Sequence, residues 1–190
     1  SLALQDNLTK LPNRLFLIDY TTSLFALYKF SNKKFAFIYI DLDRFKAVND
    51  AFGHHIGDEL LVKLAQRLHA LLEPDQKLIR IGGDEFLMVL ENFNAERIEA
   101  VADEILKNIA RSKLHPLEQR LKDKWQIQSF RFEDEDKALQ TLINQVNKQH
   151  GGRGVLNVLT KHLFDPLADF LFAEVQYPEQ LKNRSIEVIQ

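Results

Sequence analysis

The sequence predicts an α+β domain in which helices surround a central antiparallel sheet. Three observations support this prediction: short apolar runs of strand length, longer stretches with apolar residues at helical spacing, and glycine-containing turns between them. In chain order, after one leading helix, these patterns indicate strand, helix, strand, strand, helix and strand. That order is typical of a ferredoxin-like βαββαβ sandwich.

The first elements are a leading helix and a core strand. Residues 13–30 carry apolar side chains at helical spacing, and Asn13 is a favourable helix N-cap. Residues 35–40 are a continuous apolar run, which predicts a central strand covered on both faces. A short helix ending near Gly53 and a long helix over 57–72 with a leucine stripe are predicted next.

The following elements surround a glycine turn. Residues 77–81 and 86–90 are predicted to be two strands of a hairpin, since Gly82 and Gly83 can supply positive φ without steric cost. The remaining predictions are a helix over 95–109, a strand over 125–132, a helix over 134–149 and a last strand over 155–159.

Composition excludes several classes of function. The chain has 190 residues, of which 45% are hydrophobic, enough for a packed domain. Asp plus Glu (27) slightly outnumber Lys plus Arg (25), so the basic excess usual for nucleic-acid binding is missing and no nucleic-acid partner is expected. The chain contains no cysteine, which excludes disulfides and zinc–thiolate sites. We see neither a membrane-length apolar run nor a signal peptide, and expect a cytoplasmic domain or the cytoplasmic part of a membrane-anchored protein.

Acidic residues gather at one end of the predicted sheet. The apolar run over 35–40 ends on residues 41–43, Asp-Leu-Asp, and the glycine turn leads directly into Asp84 and Glu85. Carboxylates that share a site repel each other unless a cation neutralises them, and such oxygen ligands suit Mg²⁺ or Mn²⁺. The two glycines would let a nucleotide approach the backbone. The alternative is an exposed hairpin whose sequence is only favourable turn chemistry.

A second group of polar residues follows the first acidic cluster. The Asn49 amide and the Asp58 carboxylate can bind guanine, whose ring N–H and amine donate and whose carbonyl accepts hydrogen bonds. Lys46 can contact a phosphate. The alternative is that Asn49 and Asp58 cap helices, because Asp58 precedes the leucine stripe.

Three segments together resemble the motifs of a known family. Residues 6–14 read D-N-L-T-K-L-P-N-R, residues 40–54 read I-D-L-D-R-F-K-A-V-N-D-A-F-G-H, and residues 82–86 read G-G-D-E-F. They resemble D-x-L-T-G-L-P-N-R, I-D-x-D-x-F-K-x-[IV]-N-D-x-[FY]-G-H and the signature of GGDEF domains, the diguanylate cyclases. The resemblance covers about residues 6–90 and weakens after about residue 112.

The resemblance also implies a domain organisation. A GGDEF domain would occupy residues 1–158, and residues 159–190 would be a C-terminal extension or a connector to another domain. The apolar positions over 163–171 predict a short amphipathic helix there. Because the chain begins with Ser1 rather than Met, we expect it to be part of a longer protein with sensor or effector domains.

The activity implied by the resemblance is the condensation of two GTP molecules into cyclic di-GMP, with release of two pyrophosphates. Each domain would hold one GTP, and two domains would face each other as a homodimer. Mg²⁺ (or Mn²⁺) would be held by Asp41, the backbone carbonyl of Leu42, and Asp84, with Glu85 at the same site. Asp84 and Glu85 would be the catalytic pair, with Asp84 as the candidate base for the 3′-hydroxyl.

The implied substrate contacts extend along the whole domain. Lys148 and Arg153 stand where the family binds phosphate, but they are five residues apart instead of four, which rotates a helical side chain by about 100°. The alternative is that both are exposed cations at a helix end. The other implied contacts are Asn49 and Asp58 with guanine, Lys46 and the backbone at Arg44 and Phe45 with the terminal phosphates, and Gly82 and Gly83 along the nucleotide.

Two further positions depart from the family motifs. Lys10 replaces a glycine of the opening motif, which we interpret as a local change in the turn. Residues 73–76, Glu-Pro-Asp-Gln, replace the R-x-x-D of the family's inhibitory product site, so we do not expect product inhibition there.

The main alternative to a cyclase is a GTP-binding regulatory module that controls an attached domain without turnover. A third hypothesis is a structural interaction module.

Overall fold

A computed structural model describes residues 2–31, 34–42, 44–91, 94–146, 155, 158–171 and 182–188. The chain divides into two compact units, Ser1–Asn108 and Ile109–Gln190. The predicted fold class is confirmed, since helices and strands are mixed and the main sheet is antiparallel. Within the described residues, no helix is long and apolar enough to cross a membrane.

The first unit contains the main sheet. Its strands pair in the order β1-β3-β2, and both pairings are antiparallel. The end of β1, the end of β2 and the start of β3 therefore meet at one end of the sheet. The elements are α1 (Arg14–Tyr28), β1 (Phe35–Asp41), α2 (Phe45–Phe52), α3 (His54–Ala70), β2 (Gln76–Arg80), β3 (Glu85–Glu91) and the start of α4 (Ala95–Trp125).

Apolar packing covers the middle of this sheet. Leu24 and Tyr28 of α1 form a buried cluster with Ile79 of β2 and Val89 of β3. The side chains that β3 directs to its opposite face are also fully buried, and so is most of the predicted leucine stripe of α3. The buried α3 residues are Leu60, Leu61, Leu64 and Leu68.

The prediction that residues 35–40 form a strand covered on both faces is wrong, and among the described strands this one is not central. β3 hydrogen-bonds to both neighbours and takes the central position, so β1 lies at an edge of the described sheet. On one face of β1, the side chains of Phe37 and Tyr39 are 42% and 55% exposed. The apolar run signalled a strand, but not its place in the sheet.

The second unit differs more from the sequence predictions. The helix predicted over 95–109 continues to Trp125 and passes through Pro116. Residues 110–125 include three Leu, three Lys and two Arg, which favour helices. The strand predicted over 125–132 is therefore shorter, β4 (Ser129–Phe132).

The last elements also need correction. The helix predicted over 134–149 is α5 (Glu135–Asn144). Asp134 caps it, because its side chain accepts a hydrogen bond from the Lys137 N–H at 3.0 Å. Residues 147–154 lie outside the described part of the chain. The strand predicted over 155–159 is wrong, because residues 155, 158 and 159 are helical. The strand that pairs with β4, in parallel, is β5 (Ser185–Val188).

The predicted helix near residue 165 is present. Residues 158–171 are helical and include π-helical turns over Thr160–Phe164, followed by α6 (Asp165–Asp169). Leu171 belongs to a buried cluster with Trp125 and Ile127, so this segment packs within the second unit.

Candidate metal and nucleotide site

Two acidic side chains face each other where β1 ends and β3 begins. The strand register places Asp41 directly opposite Glu85, so both side chains lie on the same face of the sheet. Like charges in directly opposed positions destabilise a sheet. Asp84, the residue before Glu85, is joined to the end of β1 because its carbonyl accepts from the Leu42 N–H at 3.3 Å. Backbone pairing thus brings Asp41, Asp84 and Glu85 of the predicted acidic cluster to one end of the sheet, while Asp43 lies outside the described residues.

This donor set fits Mg²⁺ or Mn²⁺. Mg²⁺ typically binds through one or two carboxylates, water and substrate phosphates rather than in an all-protein cage. The carbonyl of Leu42 accepts from the Phe45 N–H at 3.2 Å, which uses one of its two lone pairs and leaves one for a cation. Among the described residues, no three or more His, Cys, Asp or Glu side chains form a metal cage. Asp43 is not one of the described residues.

Gly82 gives the Glu85 carboxylate its place. A Cβ at Gly82 would lie 2.3 Å from Oε2 of Glu85, whereas a Cβ at Gly83 would meet nothing within 4 Å. The prediction that these glycines supply positive φ is wrong, because Gly53 alone does so among the described glycines. The first glycine of the turn is therefore needed for space rather than for backbone conformation.

Arg80 holds the same turn in a way that the sequence did not reveal. Its side chain is 10% exposed, and its guanidinium donates to the carbonyls of Gly82 and Gly83 and to Asp6 (Nη1 to Oδ1, 2.8 Å). The Asp6 carboxylate also accepts from the N–H and hydroxyl of Thr9, both at 2.7 Å. Burial raises the pKa of Asp6, but the bonds from Thr9 and the charge of Arg80 outweigh it and hold the pKa below its ordinary value.

Tyr39 is a second residue that sequence reasoning missed. Its hydroxyl donates a hydrogen bond to Oε1 of Glu85 across the β1–β3 pairing. This bond is the largest of the effects that raise the pKa of Tyr39 to about 12. The signal in the sequence was a polar-tipped aromatic two residues before Asp41, but only the strand register shows that it reaches Glu85.

The predicted guanine-binding residues are brought together by a turn between α2 and α3. Gly53 ends one helix and precedes the next with φ 86°, a conformation that favours glycine. Across this turn a Cβ at Gly57 would lie 1.9 Å from Oδ1 of Asn49, so the amide rests against the residue preceding Asp58. The alternative that Asn49 and Asp58 cap helices is wrong, because the N-caps of α2 and α3 are Arg44 and Gly53.

The Asn49 amide has a buried acceptor. Among the described residues, its Oδ1 has no hydrogen-bond partner, and buried acceptors of this kind are rare in native structures. Asp58 lies exposed on the first turns of α3. A donor such as a guanine N–H would satisfy the Asn49 acceptor.

The predicted phosphate contacts are placed only in part. Lys46 is exposed on the first turn of α2, whose N-terminus favours anions. Arg44 has φ 57°, and the Phe45 N–H already donates to Leu42, so this amide must leave that bond to meet a phosphate. The predictions for Lys148 and Arg153 fall outside the described residues.

The segment that replaces the inhibitory motif carries its own ion pairs. The Arg97 guanidinium contacts Glu73 and lies 3.4 Å from Oδ1 of Asp75. Glu73 stands at the position of the arginine in the family's R-x-x-D motif, so the charge at that position is reversed in sign. The absence of product inhibition stays a prediction.

A sheet whose Gly-Gly-Asp-Glu turn lies beside a second acidic strand end is the arrangement of a GGDEF domain. The chain belongs to this family, described as "Diguanylate cyclase, GGDEF domain", whose model matches residues 3–150. The predicted resemblance is therefore confirmed. The predicted boundary after residue 158 stays a prediction.

Relatives and a solved structure agree with this assignment. The chain is similar to the bifunctional diguanylate cyclase/cyclic di-GMP phosphodiesterase MucR of Pseudomonas aeruginosa, at 42% identity over 109 residues, which are 57% of this chain and 16% of MucR. It is 43% identical over 105 residues to the diguanylate cyclase DgcP of Escherichia coli, covering 55% of this chain and 30% of DgcP. The chain thus spans less than a third of either relative.

Among solved structures, the chain resembles the diguanylate cyclase SiaD from Pseudomonas aeruginosa, solved in complex with its activator SiaC. The TM-score is 0.53 at 30% sequence identity, and the match covers 57% of this chain and 41% of that chain. This similarity supports the α+β fold.

Proposed function

We propose that this chain is a diguanylate cyclase domain that condenses two GTP molecules into cyclic di-GMP and releases two pyrophosphates. The observation that carries the proposal is the β1–β3 register, which sets Asp41 directly opposite Glu85. The hydrogen bond from the Leu42 N–H to the Asp84 carbonyl joins Asp84 to the same strand end. Opposed carboxylates are stable when a cation lies between them and the substrate phosphates. The family and the names of its relatives support the same activity.

The metal ligands would be Asp41, the carbonyl of Leu42, and Asp84, with Glu85 beside them. When bound, Mg²⁺ or Mn²⁺ supplies polarisation of the α-phosphate and charge stabilisation of the leaving pyrophosphate. Around it, Asn49 and Asp58 orient the guanine, and Lys46 contacts the terminal phosphates. Lys148 and Arg153 complete the proposed phosphate contacts from the distal part of the domain.

The reaction needs two copies of the domain. Each 3′-oxygen forms a bond to the α-phosphorus of the GTP held by the partner, and the bond from that phosphorus to pyrophosphate breaks. The 3′-hydroxyl proton passes to a base, for which the Asp84 carboxylate is the candidate. Because a homodimer presents two oriented substrates to each other, it removes much of the entropic barrier. We propose a cytoplasmic location, where GTP is available, whether or not a membrane anchor precedes the domain.

A GTP-binding regulatory module is the second candidate. The spacing of Lys148 and Arg153 departs from the family, and the similar protein MucR is by name bifunctional and much longer than this chain. In this case the domain would bind GTP and control an attached enzyme domain without turning GTP over.

The test is product formation from GTP and Mg²⁺ at high protein concentration, for the parent and for Glu85→Ala. Glu99→Ala is the matched control, because Glu99 is an exposed carboxylate on α4 of the same unit. We expect cyclic di-GMP from the parent and the control, and at least about 100-fold less from Glu85→Ala. GTP binding without product, even in a dimer enforced by a fused coiled coil, would instead establish the regulatory module.

A further inference from the structure

The Glu85 carboxylate is held by a hydrogen bond at one oxygen, and its other oxygen occupies the space beside Gly82. Oε1 accepts the hydrogen bond from the Tyr39 hydroxyl, and Oε2 lies over Gly82, where a Cβ would be 2.3 Å away. A glutamate at the start of an exposed hairpin normally samples several rotamers. Here the hydrogen bond from Tyr39 favours one rotamer, on the face of the sheet that also carries Asp41.

Tyr39 reaches Glu85 because of its place in the sheet. It is directly opposite Leu87, and Asp41 is directly opposite Glu85, so Tyr39 and Glu85 are diagonal neighbours on one face. Long side chains span this diagonal. Tyr39 is 55% exposed, so burial of its ring does not account for an aromatic residue at this position. Its hydroxyl nevertheless donates a hydrogen bond to Glu85.

We propose that Tyr39 is a positioning residue for the metal site, which holds Glu85 through Oε1 and so keeps its carboxylate on the face of the sheet that carries Asp41. The proposal rests on the proposed function. The neutral donor also draws charge from the carboxylate and so weakens the repulsion between the two opposed acids before a cation arrives. Tyr39 itself touches neither metal nor substrate and acts through Glu85.

The same strand offers an internal comparison. At its other end, Tyr28 donates to Oε2 of Glu91 at 2.6 Å, which joins α1 to the sheet. Glu85 and Glu91 are the first and last residues of β3, so the Tyr39–Glu85 and Tyr28–Glu91 hydrogen bonds are about 20 Å apart. Glu91 also accepts from the Tyr20 hydroxyl at Oε1, so Tyr28→Phe removes one of two tyrosine bonds to Glu91, at a distance from the acidic cluster.

The experiment measures Mn²⁺ binding by electron paramagnetic resonance of free Mn²⁺, with a non-hydrolysable GTP analogue present. We expect Tyr39→Phe to weaken Mn²⁺ binding about 10-fold to 100-fold, as removal of a bond to a metal-binding carboxylate does. Tyr39→Leu, which also lacks the hydroxyl, is expected to behave alike. Tyr28→Phe should leave the Mn²⁺ affinity unchanged and lower the midpoint of thermal unfolding, and circular dichroism confirms that each variant is folded.

The outcomes separate this inference from the proposed function. If the parent binds Mn²⁺ and Tyr39→Phe binds it equally or more tightly, the role of Tyr39 is overturned and the proposed function stands. Equal weakening by Tyr28→Phe would also overturn the inference, because the effect would then be structural. If the parent binds neither Mn²⁺ nor the analogue, the proposed function itself is overturned, and the role of Tyr39 with it.

Discussion

Gly82→Ala tests whether the site depends on the position of the Glu85 carboxylate. A Cβ at residue 82 lies 2.3 Å from Oε2 and 3.3 Å from Cδ of Glu85. Since non-bonded heavy atoms settle at about 3.5 Å, the carboxylate must retreat by roughly 1 Å. The alanine thus acts on one functional group rather than on the turn as a whole.

The fold should tolerate this change. The obstacle is the end of a flexible side chain, and Gly82 does not use a positive φ. Displacing Glu85 from its rotamer costs about 0.5–1.5 kcal/mol, and replacing glycine by alanine returns about 0.4–1 kcal/mol through the unfolded state. We therefore expect the free energy of unfolding in urea to change by less than about 1 kcal/mol.

Metal binding should change far more than stability. A misplacement of about 1 Å can reduce a rate by about 100-fold, and loss of support for a metal ligand weakens binding about 10-fold to 100-fold. The assay is Mn²⁺ binding by electron paramagnetic resonance, with a non-hydrolysable GTP analogue present. Gly83→Ala is the matched control for this assay, because its Cβ meets nothing within 4 Å. Equal Mn²⁺ affinities for the two variants, or loss of folding in Gly82→Ala alone, would refute the reasoning.

Two further predictions concern the opening motif. Lys10 has φ 62°, a conformation that costs a non-glycine residue about 1–2 kcal/mol, so Lys10→Gly should stabilise the protein by about 0.5–1 kcal/mol after the greater freedom of the unfolded glycine is subtracted. An unchanged midpoint in urea would contradict this prediction. The pKa of Asp6 is lowered from 3.8, so its stabilising contribution is complete above pH 3.8 and is lost as the pH falls through the lower pKa of the folded state. Asp6→Asn should therefore lower the thermal midpoint at neutral pH and flatten its dependence on pH below 3.8; parallel curves for the two proteins would show that the carboxylate does not carry the effect.

Local patterns predicted the parts of the fold that depend on neighbours in sequence. The N-cap at Asn13 is present, since its side chain accepts from the Leu15 and Phe16 N–H groups. The leucine stripe of α3 is buried as its spacing indicates. The position of β1 could not be predicted in the same way, because the order of strands depends on distant pairing partners. An apolar run looks alike at the centre and at the edge of a sheet.

The candidate site shows the same division. The acidic residues and Asn49 were found because they stand in contiguous motifs. Tyr39 was missed because its partner Glu85 is 46 residues away in the chain, and only the strand register brings the two together. Arg80 stands next to the glycine turn in sequence, but its link to Asp6, 74 residues away, could not be seen from local spacing.

These missed contacts hold the glycine turn from residues outside it. Arg80 binds its two glycine carbonyls and ties them to Asp6, while Tyr39 fixes the carboxylate that the turn presents. Both contacts exist within one unit, so the arrangement of the acidic cluster does not require a dimer partner. It follows that metal binding can be measured on the isolated chain, whereas turnover also depends on dimerisation. A chain that binds Mn²⁺ but makes no product would therefore have an intact metal site, and its defect should be sought in dimerisation or in the phosphate contacts assigned to Lys148 and Arg153.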